Sequence, residues 1–145
     1  MAGIIGNNVV CQVAFVVKDI EVTKKKFAEF LGVEPPDHFL AISPDTMVEG
    51  EPSPEAGAWL AFFEVGPGLS LELIQPNGVK STWQDVLDQK GEGFHHIALD
   101  VKGKTLNEGI IDCENWGMKL VQRGKGYAYV DATEDLKCIL EIFGK

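Results

Sequence analysis

Two stretches of the chain share one pattern, Gln12-Val13-Ala14-Phe15-Val16-Val17-Lys18 and His96-Ile97-Ala98-Leu99-Asp100-Val101-Lys102. Both run polar, apolar, Ala, apolar, any residue, Val, Lys, which is typical of a β-strand. Each is followed by a segment whose apolar residues recur at spacings of three and four until a glycine, Gly32 or Gly117, ends the predicted helix. Because the two copies stay in register from strand to glycine, the sequence predicts an internal duplication.

After each predicted helix the apolar spacing shortens toward two, which indicates further strands. The candidate strands cover 39–42, 58–65 and 69–75 in the first copy, and 118–122, 127–130 and 136–143 in the second. Each copy is therefore predicted to be a βαβββ module, the first over about 8–77 and the second over about 93–144. Both modules are expected to lie within one domain spanning 1–145.

Two connecting segments complete the predicted layout. Ser81-Thr82-Trp83-Gln84 has the spacing of a capping box and predicts a linker helix over about 81–90. The acidic, proline-containing stretch 43–54 has no clear period and is predicted to be a mobile loop near the mouth of any site.

Charge and hydropathy narrow the possible function classes. The 145 residues include 22 acidic and 13 basic side chains, for a formal net charge of −9. Such a chain repels nucleic-acid phosphates, so no nucleic-acid partner is expected. No apolar run approaches the roughly 20 residues that a membrane span needs, and no basic residue precedes Lys18, as a signal peptide would require. We predict a cytoplasmic protein without a membrane partner.

Strand alternation predicts which side chains share a face of the sheet. In the first strand of each copy, the larger apolar residues share the face that packs beneath a helix. The opposite faces carry Gln12 and Ala14 in one copy, and His96 and Ala98 in the other. A polar residue beside a small one indicates a hollow on that face.

The last strand of each copy contains one ionisable residue among apolar neighbours, Glu72 or Glu141. A carboxylate in that position costs free energy unless it is paired, protonated or bound to a metal. If the modules form one curved mixed sheet with helices on its outer face, an α+β fold, Gln12, Glu72, His96 and Glu141 meet in its concavity. One imidazole, two carboxylates and one amide oxygen favour a divalent ion such as Ni²⁺, Co²⁺, Zn²⁺, Mn²⁺ or Fe²⁺.

Neighbouring residues on the inferred cup face are candidates for contact with a substrate. Phe143 and Ile139 share the face of Glu141, and Asp100 shares the face of His96. His95 directly precedes His96, so alternation places it on the opposite face and predicts a packing or surface histidine.

The duplication and the four polar positions resemble the vicinal oxygen chelate superfamily of glyoxalases, bleomycin resistance proteins and dioxygenases. Its members build a metal-binding cup from paired βαβββ modules, with ligands on the first and last strands of each module. The resemblance covers nearly the whole chain. It implies that Gln12, Glu72, His96 and Glu141 bind one metal ion, and that the protein is a homodimer acting on a small molecule.

Within the superfamily, two enzymes share different features with the chain. The segments 71–76 and 91–98 resemble the corresponding parts of methylmalonyl-CoA epimerase, whereas the ligand set Gln, Glu, His, Glu resembles that of some glyoxalase I enzymes (lactoylglutathione lyases). The first acts on an acyl-CoA and the second on a hemithioacetal of methylglyoxal and a thiol. Both remove a proton beside a metal-bound oxygen, and the resemblance implies that Glu141 is the general base.

We therefore predict a metal-dependent isomerase of the epimerase type, with glyoxalase I as the alternative. A further alternative, from a different class, is a non-catalytic resistance protein that binds a small molecule. Such proteins generally lack the ligand quartet, so its presence favours an enzyme. A dioxygenase is a weaker alternative. Dioxygenases typically use two His and one carboxylate as metal ligands, and His96 is the one histidine at the matched positions.

Overall fold

A computed structural model of the protein describes residues 3–145. Within that range the chain forms three helices and ten strands: β1 (Gln12–Val16), α1 (Ile20–Leu31), β2 (Phe39–Ile42), β3 (Met47–Val48), β4 (Glu51–Pro52), β5 (Gly57–Gly66), β6 (Leu69–Pro76), α2 (Thr82–Lys90), β7 (Gly93–Asp100), α3 (Leu106–Trp116), β8 (Lys119–Gly124), β9 (Tyr127–Ala132) and β10 (Cys138–Phe143). None of these helices is long and apolar enough to cross a membrane.

All ten described strands belong to one mixed sheet in the order β2-β5-β6-β1-β7-β10-β9-β8-β3-β4. The two repeated strands, β1 and β7, are antiparallel neighbours at its centre. Each has a parallel partner on its other side, β6 for β1 and β10 for β7. The sheet curls into a half-barrel, which confirms the predicted α+β class and curved mixed sheet.

Helix α1 covers the outer face of the first repeat. Its N-cap is Asp19, whose side chain accepts a hydrogen bond from the Val22 amide, and it ends at Gly32 in the left-handed region with φ of 71°. The buried side of the helix packs on apolar residues of β1, β5 and β6. The residues of this cluster are Phe15, Val17, Ile20, Phe27, Ala28, Trp59, Ala61, Phe63, Leu71 and Leu73.

Helix α3 covers the outer face of the second repeat and lies close to the sheet at Gly109. The helix starts with a complete capping box between Thr105 and Glu108. A Cβ atom on Gly109 would lie 2.7 Å from Cγ1 of Val101 and 3.4 Å from Cδ1 of Ile142. Glycine is therefore the residue that allows this spacing between helix and sheet.

Helix α2 lies on the concave face, which the linker prediction did not anticipate. Ser81 caps it by accepting from the Gln84 amide, but the Gln84 side chain accepts from the Gly78 amide, so only half of the predicted capping box forms. Trp83 and its neighbours pack against the apolar cup-face residues of the central strands. The helix thus fills one end of the cup.

The stretch predicted to be a mobile loop, 43–54, contains a short hairpin instead. Strands β3 and β4 pair through a two-residue turn, Glu49-Gly50, in which both residues have positive φ. Strand β3 also pairs with β8. Residues 43–46 therefore connect β2, at one edge of the sheet, to β3, near the opposite edge. Strands of two residues leave no periodicity to detect, which explains why the sequence did not predict them.

We expect the Gly109→Ala variant to be less stable than the wild type by about 1–3 kcal/mol, because the added methyl group overpacks the helix against Val101. In an unconstrained helix interior the same change would stabilise by roughly 0.5–1 kcal/mol. Chemical denaturation measures the difference. Asn115→Ala, on the exposed side of the same helix, is the control and should change little. A Gly109→Ala protein as stable as the wild type would contradict the close approach.

Candidate metal centre

The four predicted ligands converge on the concave face around two alanines. Ala14 and Ala98 are fully buried. Because their side chains are short, they leave room above the centre of the sheet. Strand register places two of the predicted ligands beside each alanine: Glu72 and His96 are opposite Ala14, and Gln12 and Glu141 are opposite Ala98. The two repeats therefore contribute equivalent pairs of predicted ligands, related by the duplication.

The donor atoms surround the Nε2 atom of His96. That nitrogen lies 3.1 Å from Oε1 of Gln12, 3.6 Å from Oε1 of Glu72 and 2.6 Å from Oε2 of Glu141. All four side chains are buried, His96 completely and the others to 5–7% exposure. One ligand atom from each of Glu72, His96 and Glu141 lies within 4.8 Å of the others.

Burial shifts the pKa values of Glu72, Glu141 and His96 so that all three favour their neutral forms. Burial and the neighbouring charge of Glu141 raise the pKa of Glu72 well above its usual range. Burial raises the pKa of Glu141 to about 8 and lowers the pKa of His96 to about 3. Above pH 3 the imidazole is therefore neutral and does not offset the carboxylates as an ion-pair partner, despite its short distance to Glu141.

The unpaired oxygens test whether these residues suit a metal ion. Oε1 of Glu72 and Oε2 of Glu141 are buried, and neither forms a hydrogen bond of good geometry within residues 3–145. Buried carboxylate oxygens without partners are costly, and a divalent cation would satisfy both. A neutral imidazole, two carboxylates and an amide oxygen are suitable ligands for the borderline divalent ions. The residues present fit a metal.

A hydrogen-bonded pair of aromatic residues supports Glu141. Tyr129 lies directly opposite Glu141 in the pairing of β9 with β10, and its nearby hydroxyl lowers the pKa of Glu141, against the larger rise that burial causes. Trp83 Nε1 donates to the Tyr129 hydroxyl at 2.9 Å. Burial raises the pKa of Tyr129 well above its usual value, so the phenol keeps its proton and remains a donor.

His95 also belongs to this centre, contrary to the face that alternation predicted. The pairing of β1 with β7 shifts register so that Ala14 faces His96 while Phe15 faces Phe94, and His95 is the extra residue of the bulge. Its Nδ1 atom lies 2.7 Å from Nδ1 of His96, and its ring contacts Tyr129. The packing role is thus correct, but the residue is 3% exposed and not on the surface.

A cavity of about 340 Å³ opens beside the two carboxylates. Its walls are mainly apolar, with Lys125 and hydroxyl groups adding hydrogen-bond donors. The lining residues are Leu40, Ala41, Ile42, Ser43, Thr46, Ala56, Leu60, Glu72, Trp83, Lys125, Tyr127, Tyr129 and Glu141. The alternation of Tyr127 and Tyr129 along β9 could have indicated two of these residues from sequence, whereas the contributions of α2 and of 43–46 depend on tertiary packing.

The three residues predicted to contact substrate do not line this cavity. Phe143 and Asp100 are register partners near the ends of β10 and β7, and both line a separate cavity beside Gly144. Ile139 packs with the apolar cluster beneath α2. Alternation placed them on the right strands, but their positions along those strands put them beyond the ends of the cavity or under the helix.

Comparison with known proteins identifies the family. The sequence profile of the Glyoxalase/Bleomycin resistance protein/Dioxygenase superfamily matches residues 11–133. The chain belongs to this superfamily, which confirms the resemblance seen in the sequence. No curated protein sequence matches the chain significantly.

Solved structures share the fold at low sequence identity. A hypothetical protein from Bacillus halodurans C-125 has 19% identity and a TM-score of 0.64, with 94% of each chain covered. Methylmalonyl-CoA epimerase from Mycobacterium tuberculosis has 17% identity and a TM-score of 0.61, over 93% of this chain and 86% of that one. A Streptomyces coelicolor methylmalonyl-CoA epimerase in complex with 2-nitronate-propionyl-CoA has 16% identity and a TM-score of 0.62, over 94% and 96%.

The raised carboxylate pKa values predict how the stability of the metal-free protein depends on pH. A carboxyl group whose pKa is higher in the folded than in the unfolded state stabilises the fold at low pH, and that contribution is lost as pH rises through the folded value. The pKa of Glu141 in the folded protein is about 8. Raising the pH from 7 to 8.5 should therefore lower the free energy of unfolding by about 1 kcal/mol.

Chemical denaturation of chelator-treated protein at the two pH values measures this change. Above pH 7 the unfolded histidines are already largely neutral and contribute little to the difference. Burial raises the pKa of the three cysteine thiols, so they add a loss of the same sign that the wild type and the variants share. Glu141→Gln should remove much of the pH dependence, whereas Glu64→Gln, on the exposed face of β5, should leave it unchanged. A wild-type protein whose stability is constant or rises over this range would show that the carboxyl groups ionise without penalty.

Proposed function

We propose that the protein is a metal-dependent isomerase that removes a proton from the carbon next to a thioester or carbonyl group, in the manner of a methylmalonyl-CoA epimerase. The observation that carries this proposal is the placement of two buried carboxylates at the wall of one apolar cavity, with the imidazole of His96 buried behind them at 2.6 and 3.6 Å from their oxygens. A cavity of that kind excludes water while leaving proton acceptors in contact with a ligand.

Gln12, Glu72, His96 and Glu141 would hold the divalent ion. When bound, the ion would act as a Lewis acid that stabilises the negative charge that develops on the substrate oxygen after proton removal. The unsatisfied oxygens of Glu72 and Glu141 support this assignment. The identity of the ion is left among Ni²⁺, Co²⁺, Zn²⁺, Mn²⁺ and Fe²⁺, since the same ligand types suit each of them.

Glu141 is the proposed general base. It lines the cavity, and burial raises its pKa to about 8, near the range in which a group can both take and return a proton. Tyr129 lies opposite Glu141 in the strand pairing, and Trp83 donates a hydrogen bond to its hydroxyl. Glu72 lines the same cavity from the other repeat, which supports it as the group that exchanges a proton on the opposite side of the substrate.

The cavity suits a small acyl group that carries oxygen atoms. Aliphatic and aromatic walls would contact the carbon chain, and Lys125 and Tyr127 would donate hydrogen bonds to oxygens. Gln122 donates to the Tyr127 oxygen at 3.0 Å, so the phenolic hydrogen of Tyr127 is available to a ligand. Similar folds have been solved as epimerase complexes with methylmalonyl-CoA and with 2-nitronate-propionyl-CoA, which supports an acyl-CoA substrate.

Glyoxalase I activity is the second candidate, and the ligand set favours it. The first module supplies Gln12 and Glu72, whereas epimerases of this type usually have His and Gln at these positions. On this alternative the substrate is a hemithioacetal of methylglyoxal and a thiol, and the same two carboxylates move a proton between adjacent carbons.

Two assays on metal-loaded protein distinguish these candidates. We expect deuterium from solvent to enter methylmalonyl-CoA, and Glu141→Gln to slow that exchange by about 10²–10⁴-fold because the base is lost. Glu64→Gln removes the same charge from an exposed position and should exchange at the wild-type rate. Formation of an S-lactoyl thioester from methylglyoxal and a thiol, without exchange into methylmalonyl-CoA, would instead establish the glyoxalase activity. Turnover of neither substrate would refute both and favour a non-catalytic binding protein.

We also propose that the protein is a homodimer. Strand β2 is at the edge of the sheet, and Phe39, Leu40 and Ile42 on it are 46–53% exposed. Phe39 stacks on the partly exposed Phe62 of β5 at 6.1 Å between ring centroids. An exposed apolar edge strand supports association with a second copy.

Light scattering coupled to size-exclusion chromatography tests the dimer. The wild type should have twice the mass of the 15.8 kDa chain, and Phe39→Lys should shift the mass toward that of one chain. A monomeric wild type at micromolar concentration would show that this edge does not associate.

A further inference from the structure

His95 and His96 make an unusual contact between two Nδ1 atoms. The nitrogens are 2.7 Å apart, a hydrogen-bond distance, and both rings are buried, with 3% and 0% exposure. Two neutral imidazoles can form this bond only if one Nδ1 carries a proton and the other offers a lone pair. We call the choice of which Nδ1 carries the proton the proton order of the pair. It determines which nitrogen of each ring has a lone pair available for another partner.

The surroundings of His96 define the order that a metal site requires. Its Nε2 faces the oxygens of Gln12, Glu72 and Glu141 at 3.1, 3.6 and 2.6 Å. A neutral imidazole can bind a cation through Nε2 only if its proton is on Nδ1. In that state Nδ1–H of His96 donates, and Nδ1 of His95 must accept. The reverse order places a proton on Nε2 of His96 and blocks the cation.

We propose that His95 is a positioning residue whose Nδ1 atom accepts the Nδ1–H of His96 and thereby holds His96 in the tautomer that binds metal. This inference rests on the proposed metal site and goes beyond it, because His95 itself touches neither the cation nor the substrate cavity. Metal-binding histidines generally donate their second N–H to a carboxylate or a backbone carbonyl. Here a second imidazole takes that place.

The local structure fixes the geometry of the pair. The register shift between β1 and β7 occurs at His95 and brings its side chain to the same side of the sheet as that of His96. The ring of Tyr129 contacts both imidazoles, with centroids 5.4 Å from His95 and 4.9 Å from His96. The ring centroids are 5.0 Å apart and the two Nδ1 atoms 2.7 Å apart, so the rings meet edge to edge at these nitrogens. In either proton order Nε2 of His95 has no hydrogen-bond partner among the described residues, so that nitrogen does not decide between the two.

Zinc binding to two variants of His95 tests the proposal. His95→Asn places an acceptor oxygen near the position of Nδ1, and His95→Phe keeps a ring against Tyr129 but removes the acceptor. We expect the Zn²⁺ dissociation constant, measured by competition with a chelator, to rise about 10–100-fold in His95→Phe. In His95→Asn it should stay within about 3-fold of the wild type, because the hydrogen bond is kept.

Nitrogen-15 NMR of the wild-type protein loaded with Zn²⁺ provides a second readout that needs no variant. We expect Nδ1 of His95 to have the shift of an unprotonated nitrogen and Nδ1 of His96 that of a protonated one. A protonated Nδ1 on His95 in the zinc-loaded protein, or equal zinc affinity in His95→Phe and wild type, would overturn the proposal while leaving the metal site intact. A wild type that binds none of Zn²⁺, Ni²⁺ and Co²⁺ would instead overturn the metal site, and this inference with it.

The comparison of the two variants also separates positioning from a general loss of structure. Unfolding of the metal-free proteins reports on packing alone. If His95→Phe is as stable as His95→Asn without metal and binds zinc more weakly, the acceptor is responsible. If both variants lose the same zinc affinity, the acceptor is irrelevant and the proposal is wrong.

Discussion

Two carboxylates buried within reach of one imidazole are the constraint on which the rest of this structure depends. Glu72 and Glu141 line the same cavity and are each less than a tenth exposed, so ionising both without a compensating cation is unfavourable. The neighbouring histidine does not supply the charge, because burial lowers its pKa to about 3. Either the carboxyl groups hold protons or a cation is bound, and the two states would be linked, because a bound cation would displace the protons.

The duplication accounts for how these groups come together. Each repeat supplies one predicted ligand from its first strand and one carboxylate from its last, and the pairing of β1 with β7 brings the two halves together. Ala14 and Ala98 keep the centre of the floor open. Further residues lie against the predicted ligands: Tyr129 is opposite Glu141 in the strand pairing, and His95 contacts His96. The aromatic ring of Tyr129 touches both imidazoles, so the carboxylate and histidine parts of the centre share one support.

Much of the fold and the ligand set could be predicted from the sequence because both follow from periodicity. Alternation along β1, β6, β7 and β10 correctly assigned the faces that pack beneath α1 and α3, and it grouped Gln12, Glu72, His96 and Glu141 before their distances were known. The same rule gave the wrong face for His95, since a bulge adds a residue and breaks the period of two. It also gives no position along a strand: Phe143, Ile139 and Asp100, which it predicted near a substrate, do not line the cavity beside the two carboxylates.

Other features were beyond the sequence because they depend on tertiary contacts. The α2 segment is recognisable as a helix, but nothing in its pattern shows that Trp83 packs into the cup beside Tyr129. The hairpin of β3 and β4 is too short to have a period, and its pairing with β8 joins the two repeats at the far end of the sheet order. Both elements shape the cavity, so its walls were harder to predict than its ligands.

The central claim is that this quartet binds one divalent cation, and the metal content of the purified protein tests it most directly. Elemental analysis of protein equilibrated with Ni²⁺ or Co²⁺ and freed of excess ion should find one ion per chain. Glu141→Ala should lose most of it, and Glu64→Ala, which removes an exposed carboxylate, should retain it. A wild type that takes up neither ion, or a Glu141→Ala protein that binds as much as the wild type, would contradict the account.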